Sequence, residues 1–70
     1  MIHKTAVINK KAKISENVFI GPYSIIGPYV QIGEGSEIQS HVNITGNTTI
    51  GNNTKIFPFA SIGTNPQDLK

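Results

Sequence analysis

The sequence predicts an all-β parallel solenoid, and three observations carry that reading. Isoleucine stands at positions 2, 8, 14, 20, 26, 32, 38, 44, 50, 56 and 62, every sixth residue without a gap. The residue two before each of these is small or short-branched, as in Ala6, Ala12, Val18, Ser24, Val30, Ser36, Val42, Thr48, Thr54 and Ala60. The residue after is often glycine, at 21, 27, 33, 51 and 63. A helix turns every 3.6 residues and cannot keep a strict six-residue phase on one face. Six is even, so a strand alternating in and out returns to the same facing in every unit.

Each hexad is then one short strand followed by a bend. The small residue and the isoleucine, two apart, point inward together. Corner pairs such as Pro22-Tyr23, Pro28-Tyr29, Glu34-Gly35, Gly46-Asn47 and Asn52-Asn53 follow, all compatible with turns. Lys, Glu, Gln, Thr and Asn fill the outward slots. No hexad buries its isoleucine alone, whereas stacked coils place each isoleucine on another. Three sides make the smallest closed polygon, with 18 residues to a coil. That gives about four triangular coils at about 4.8 Å each: residues 2–19, 20–37, 38–55 and an incomplete 56–70.

The phase ends at Ile62. Pro66 falls where a small inward residue belongs and Asp68 where isoleucine belongs. Burying an unpaired carboxylate is expensive, so the repeat is expected to span 1–63 and residues 64–70 to leave the coil as a loop. Breaks in a regular pattern are where function is expected, so Thr64–Lys70 is the first candidate site. No polar capping repeat follows it, which solenoids need at their ends. The chain therefore reads as part of a longer protein, truncated at its C-terminus, or as one that depends on assembly.

Composition narrows the function classes. The 70 residues hold no cysteine, which excludes disulfides, thiol nucleophiles and CxxC zinc sites. Net charge is +2 and all six basic residues are lysine. Without arginine there is no bidentate fork for phosphate or guanine, so nucleic acid is not an expected partner. No apolar run reaches the ~18 residues of a membrane span, and Lys4, Lys10, Lys11 and Lys13 interrupt any N-terminal signal-peptide core. A soluble, cytoplasmic protein without membrane insertion is expected.

Other constellations carry little chemistry. His3 and His41 lie two coils apart, about 10 Å along the axis, too far to share a metal, and no third ligand is evident. Both read as surface or corner residues. Ser40, Ser61, His41 and Asp68 include the residue types of a hydrolase triad without its motif. The glycines recur at corners and form no phosphate loop. The three Asn-x-Thr matches, at Asn43, Asn47 and Asn52, read as corner and ladder positions. Lys4–Lys13 is a basic cluster that reads as a solvated face or as an attractor for an acidic partner.

The hexads resemble those of the hexapeptide-repeat acyltransferases. Within that family the chain is similar to the sugar-nucleotide O-acyltransferases of lipid A biosynthesis. The resemblance is carried by Ile2-His3-Lys4-Thr5-Ala6, by Ile20-Gly21-Pro22-Tyr23 through Ile32-Gly33-Glu34-Gly35, by Ser40-His41-Val42, and most narrowly by Phe59-Ala60-Ser61-Ile62-Gly63 with Pro66-Gln67-Asp68-Leu69-Lys70. It implies a left-handed parallel β-helix and transfer of a 3-hydroxyacyl chain from acyl carrier protein to the 3-hydroxyl of UDP-N-acetylglucosamine. It also implies a histidine general base, no metal or cofactor, and a homotrimer with active sites between subunits. Gln67, Asp68 and Lys70 match the family's sugar-nucleotide contacts: Asp68 to sugar hydroxyls, Gln67 to acyl or sugar groups, Lys70 to a phosphate. The family carries its catalytic histidine in later coils and finishes in a helical region. No catalytic residue is therefore assigned within this chain, and the isolated 70 residues are expected to be inactive. Two alternatives stay open. One is the related UDP-3-O-acylglucosamine N-acyltransferase, whose family has an extra domain before the hexads. The other is a non-catalytic solenoid, although outward residues 18 apart, such as Gln31 and Thr49 or Phe19 and Glu37, form no uniform array.

Overall fold

A computed structural model of the chain describes residues 1–63. The boundary placed at residue 63 and the loop expected over 64–70 lie at and outside that limit. The described residues contain strands and turns and no helix. Each strand closes on an isoleucine of the repeat: β1 Val7–Ile8, β2 Lys13–Ile14, β3 Phe19–Ile20, β4 Ile25–Ile26, β5 Val30–Ile32, β6 Glu37–Ile38, β7 Asn43–Ile44, β8 Thr48–Ile50, β9 Lys55–Ile56 and β10 Ser61–Ile62. Ile2 adds a single bridge to Ile20.

The strands sort into three parallel sheets in the orders β1-β4-β7-β10, β2-β5-β8 and β3-β6-β9. Consecutive neighbours in a sheet are always three strands apart in sequence, so one turn of the solenoid is three hexads. The register agrees, pairing Ile8 with Ile26, Ile14 with Ile32 and Ile20 with Ile38. The expected triangular coil is therefore present, with three full turns and the start of a fourth. We call the sheets the first, second and third faces in chain order.

The interior is the isoleucine stack. Ile20, Ile38 and Ile44 are fully buried, Ile26 and Ile32 nearly so, and Val18, Val30 and Val42 fill the space beside them. Burial falls off along the axis at the first turn, where Ile8 and Ile14 are half-buried and Ile2 is 46% exposed. The ladders run from strand end to strand end of the next turn: the N–H groups of Gly21, Gly27 and Gly33 each donate to the carbonyls of Ile38, Ile44 and Ile50 at 2.8 Å.

Glycine after isoleucine serves close approach. A Cβ on Gly33 would stand 2.7 Å from the backbone nitrogen of Asn52 and 2.8 Å from the carbonyl carbon of Gly51 in the next turn. The left-handed backbone falls two residues further on. Asn17, Gly35 and Asn53 form one such column, with φ of 60°, 76° and 55°. Tyr23, His41 and Phe59 form another, with φ of 61°, 57° and 66°.

Two inward slots hold serine and both are satisfied. Ser24 Oγ donates to the Gln39 carbonyl at 2.7 Å and accepts from the Val42 N–H at 3.1 Å. Ser36 Oγ does the same with the Gly51 carbonyl and the Thr54 N–H, again at 2.7 and 3.1 Å. Each hydroxyl thus joins its own turn to the next at a corner. Ser36→Ala is expected to lower stability by about 1–3 kcal/mol, because it removes two hydrogen bonds between turns at about 0.5–1.5 kcal/mol each, although the Gly51 carbonyl keeps the Thr54 hydroxyl as a donor. Urea unfolding of the variant checks this, and a loss below about 0.5 kcal/mol would show that water or relaxation replaces the bridge.

Candidate functional site

The three corners differ in chemistry, and each is a column of side chains set one turn apart. The corner between the third and first faces carries aromatic rings. The His41 ring lies 5.3 Å from Tyr23 and 4.9 Å from Phe59, stacked on the latter with an interplanar angle of 23°. Tyr23 and Phe59 are 61% and 76% exposed. Above them the Tyr23 N–H donates to Thr5 Oγ1 at 3.0 Å, and Thr5 Oγ1 lies 2.9 Å from His3 Nδ1. The corner between the second and third faces is polar and self-paired: Asn17 Nδ2 donates to Glu34 Oε2 at 3.5 Å, and the Glu34 N–H donates to Asn52 Oδ1 at 2.9 Å. The corner between the first and second faces carries Lys11, Tyr29 and Asn47 beside an open groove.

Both histidines hold the corner or surface places expected of them. His41 is held between two rings rather than by a carboxylate. His3 Nδ1 accepts the Thr5 N–H at 3.2 Å, a local turn contact. Among the described residues no carboxylate orients either ring, as one does in a His–carboxylate general base. Among the described residues no group of three or more His, Cys, Asp or Glu side chains converges as metal ligands do.

The predicted site residues Gln67, Asp68 and Lys70 lie outside the described residues. Their segment is attached at Gly63, directly after β10. Gly63 has φ of 83°, and an added Cβ would run into the Thr45 carbonyl. The Thr45 N–H donates to the Ile62 carbonyl at 3.0 Å, which seats this exit on the turn before it. The segment thus starts at the corner that also bears Asn47. What reading the sequence missed are the side-chain columns. The signal was available at a spacing of 18: Tyr23, His41 and Phe59 in one series, Lys11, Tyr29 and Asn47 in another.

Residues 11–46, just over half of the chain, match the family model described as bacterial transferase hexapeptide (six repeats). The chain belongs to this family. Two solved structures extend the likeness. One is the crystal structure of a UDP-N-acetylglucosamine acyltransferase, 48% identical over the whole of this chain with a TM-score of 0.94. The other is LpxA from Acinetobacter baumannii, 55% identical over 89% of this chain with a TM-score of 0.86. No curated protein matches the chain. The chain spans about a quarter of the length of these solved relatives, 27% of the first and 24% of the second. No helix among the described residues is long and apolar enough to cross a membrane.

Proposed function

We propose that this chain is the N-terminal part of an acyltransferase that moves a 3-hydroxyacyl chain from acyl carrier protein to the 3-hydroxyl of UDP-N-acetylglucosamine, the first step of lipid A biosynthesis. The observation that carries the reading is the match to a UDP-N-acetylglucosamine acyltransferase at 48% identity and a TM-score of 0.94 over all 70 residues. In the reaction, a histidine base takes the proton of the sugar 3-hydroxyl. The oxygen attacks the thioester carbonyl, and the carrier-protein thiol leaves with a proton. The base belongs to later coils, and no residue between 1 and 63 takes that part. Gln67, Asp68 and Lys70 are the residues of this chain assigned to the sugar nucleotide, with Asp68 accepting sugar hydroxyls and Lys70 facing a phosphate.

The same reading includes the left hand of the helix, a cytoplasmic location and a homotrimer. Exposed apolar side chains support self-association. Val7 and Ile25 stand in adjacent outward slots of the first face, and exposed Tyr23 stands at the corner that leads into Ile25. Contiguous apolar patches of this kind mark contact surfaces.

Incubation with a 3-hydroxyacyl carrier-protein thioester and UDP-N-acetylglucosamine tests the proposal. A longer protein that begins with this chain is expected to form the 3-O-acyl sugar nucleotide. The 70 residues alone are expected to form none above the enzyme-free rate. No product from the longer protein, or N-acylation of a 3-O-acylglucosamine nucleotide instead, would overturn it.

A further inference from the structure

The corner between the first and second faces has polar side chains that the fold does not use. Lys11, Tyr29 and Asn47 stack along it, and Lys13 and Gln31 pair side by side on the adjoining face. Together with Pro28 and Val30 they line an open groove of about 270 Å³. Among the described residues no carboxylate lines it. The hydrogen bond that the fold takes from Lys11 goes through its backbone N–H, to Asn9 Oδ1 at 2.9 Å, and among the described residues none engages its ammonium. The other two corners spend their polar groups internally, through Thr5, Ser24, Asn17, Glu34, Ser36 and Asn52.

We infer that this groove is a binding site for a phosphate-sized oxyanion, free or carried on a small organic body. Two lysines, a tyrosine and two side-chain amides line it and bring several donors, which suits a group offering several acceptor oxygens. Lysine binds phosphate as a point charge, so the missing arginine does not prevent it. The groove falls just under the ~300–1,000 Å³ of ordinary small-molecule sites, which suits a phosphate or the phosphate end of a small compound. The inference rests on Lys11, Lys13, Tyr29, Gln31 and Asn47 alone and holds whether or not the longer protein transfers acyl chains.

Titration calorimetry on the protein at its natural length tests this, with chloride exchanged for inorganic phosphate at constant ionic strength. Glucose 6-phosphate in a second arm shows whether an organic body adds affinity. Saturable one-site binding is expected in at least one arm. Lys11→Gln and Lys13→Gln should each weaken it about tenfold, the size of one lost charge-assisted hydrogen bond. Both side chains point outward, so neither substitution disturbs the isoleucine interior. Lys55→Gln, the same charge change on the third face, should alter affinity less than about twofold. Unsaturable heats in both arms, or equal weakening by Lys55→Gln, would overturn the site and leave only diffuse surface charge.

Discussion

Ile38→Ala is expected to remove about 2–5 kcal/mol of stability, while Ile2→Ala removes less than about 1 kcal/mol. The two substitutions delete the same atoms from the same slot of the repeat. They differ in what surrounds them. Ile38 is fully buried, between Ile20 in the turn before and Ile56 in the turn after. Ile2 is 46% exposed and has one neighbouring turn, bridged through Ile20. A cavity opened at Ile38 is walled by other turns on both sides and cannot collapse without moving their ladders. At Ile2 water already reaches the side chain. Small domains have total stabilities of about 5–15 kcal/mol, so the first loss is a large fraction and the second a minor one. Urea midpoints at constant slope separate them. Equal losses at the two positions would mean that the isoleucines are not ranked by depth along a solenoid.

The isoleucine phase made the architecture readable because it is a geometric constraint imposed at every turn. Each strand ends on a repeat isoleucine, from Ile8 to Ile62, and the inward small residues Val18, Ser24, Val30, Ser36 and Val42 are buried as the pattern requires. Three hexads per turn was an argument from the smallest polygon, and the pairing of Ile20 with Ile38 confirms it. The corners were read less well, because corner chemistry depends on neighbours 18 residues away. Pro22-Tyr23 looks like a turn pair, but nothing local says that Tyr23, His41 and Phe59 all adopt φ near 60°. A left-handed backbone costs a non-glycine residue roughly 1–2 kcal/mol. Aromatic pairs contribute about 0.5–1.5 kcal/mol, so the two ring contacts along this column offset part of that cost. Ser24 and Ser36 were legible as small, but their role as bridges between turns was not. That role depends on which carbonyl the next turn brings within 2.7 Å.

The candidate site was legible as an interruption rather than as a constellation. Through Ile62 every inward slot holds a residue that the interior accepts. Pro66 and Asp68 are the first that it would not. A periodic core thus reveals where the chain stops serving the core, and the family resemblance supplies a chemical reason for the change. Periodicity says nothing about which outward residues meet a ligand. For that reason the groove beside Lys11 and Lys13 emerged only once the turns were stacked.

Asp68→Ala, made in a longer protein that begins with this chain, is expected to lower kcat/KM for the sugar nucleotide about 10- to 150-fold. Asp68 occupies the slot that isoleucine fills in every earlier hexad, so the carboxylate either serves a ligand or marks a loop that has simply left the coil. The two accounts predict different pairs of measurements. A charge-assisted hydrogen bond from a substrate hydroxyl to the carboxylate is worth about 1.5–3 kcal/mol, and its loss appears directly in kcat/KM. A solvated aspartate in a loop contributes within about 0.5 kcal/mol to stability and nothing to catalysis. The expected result is therefore a large kinetic loss with an unchanged melting temperature. Asp68→Asn refines it, because an amide keeps one acceptor oxygen without the charge and should recover part of the rate if the partner is a hydroxyl. A rise in KM with kcat preserved would place the contact equally in the bound substrate and the transition state. Unchanged kcat/KM in both variants would show that the isoleucine phase ends at Ile62 for reasons of chain exit alone, and that the sugar nucleotide is held by other residues.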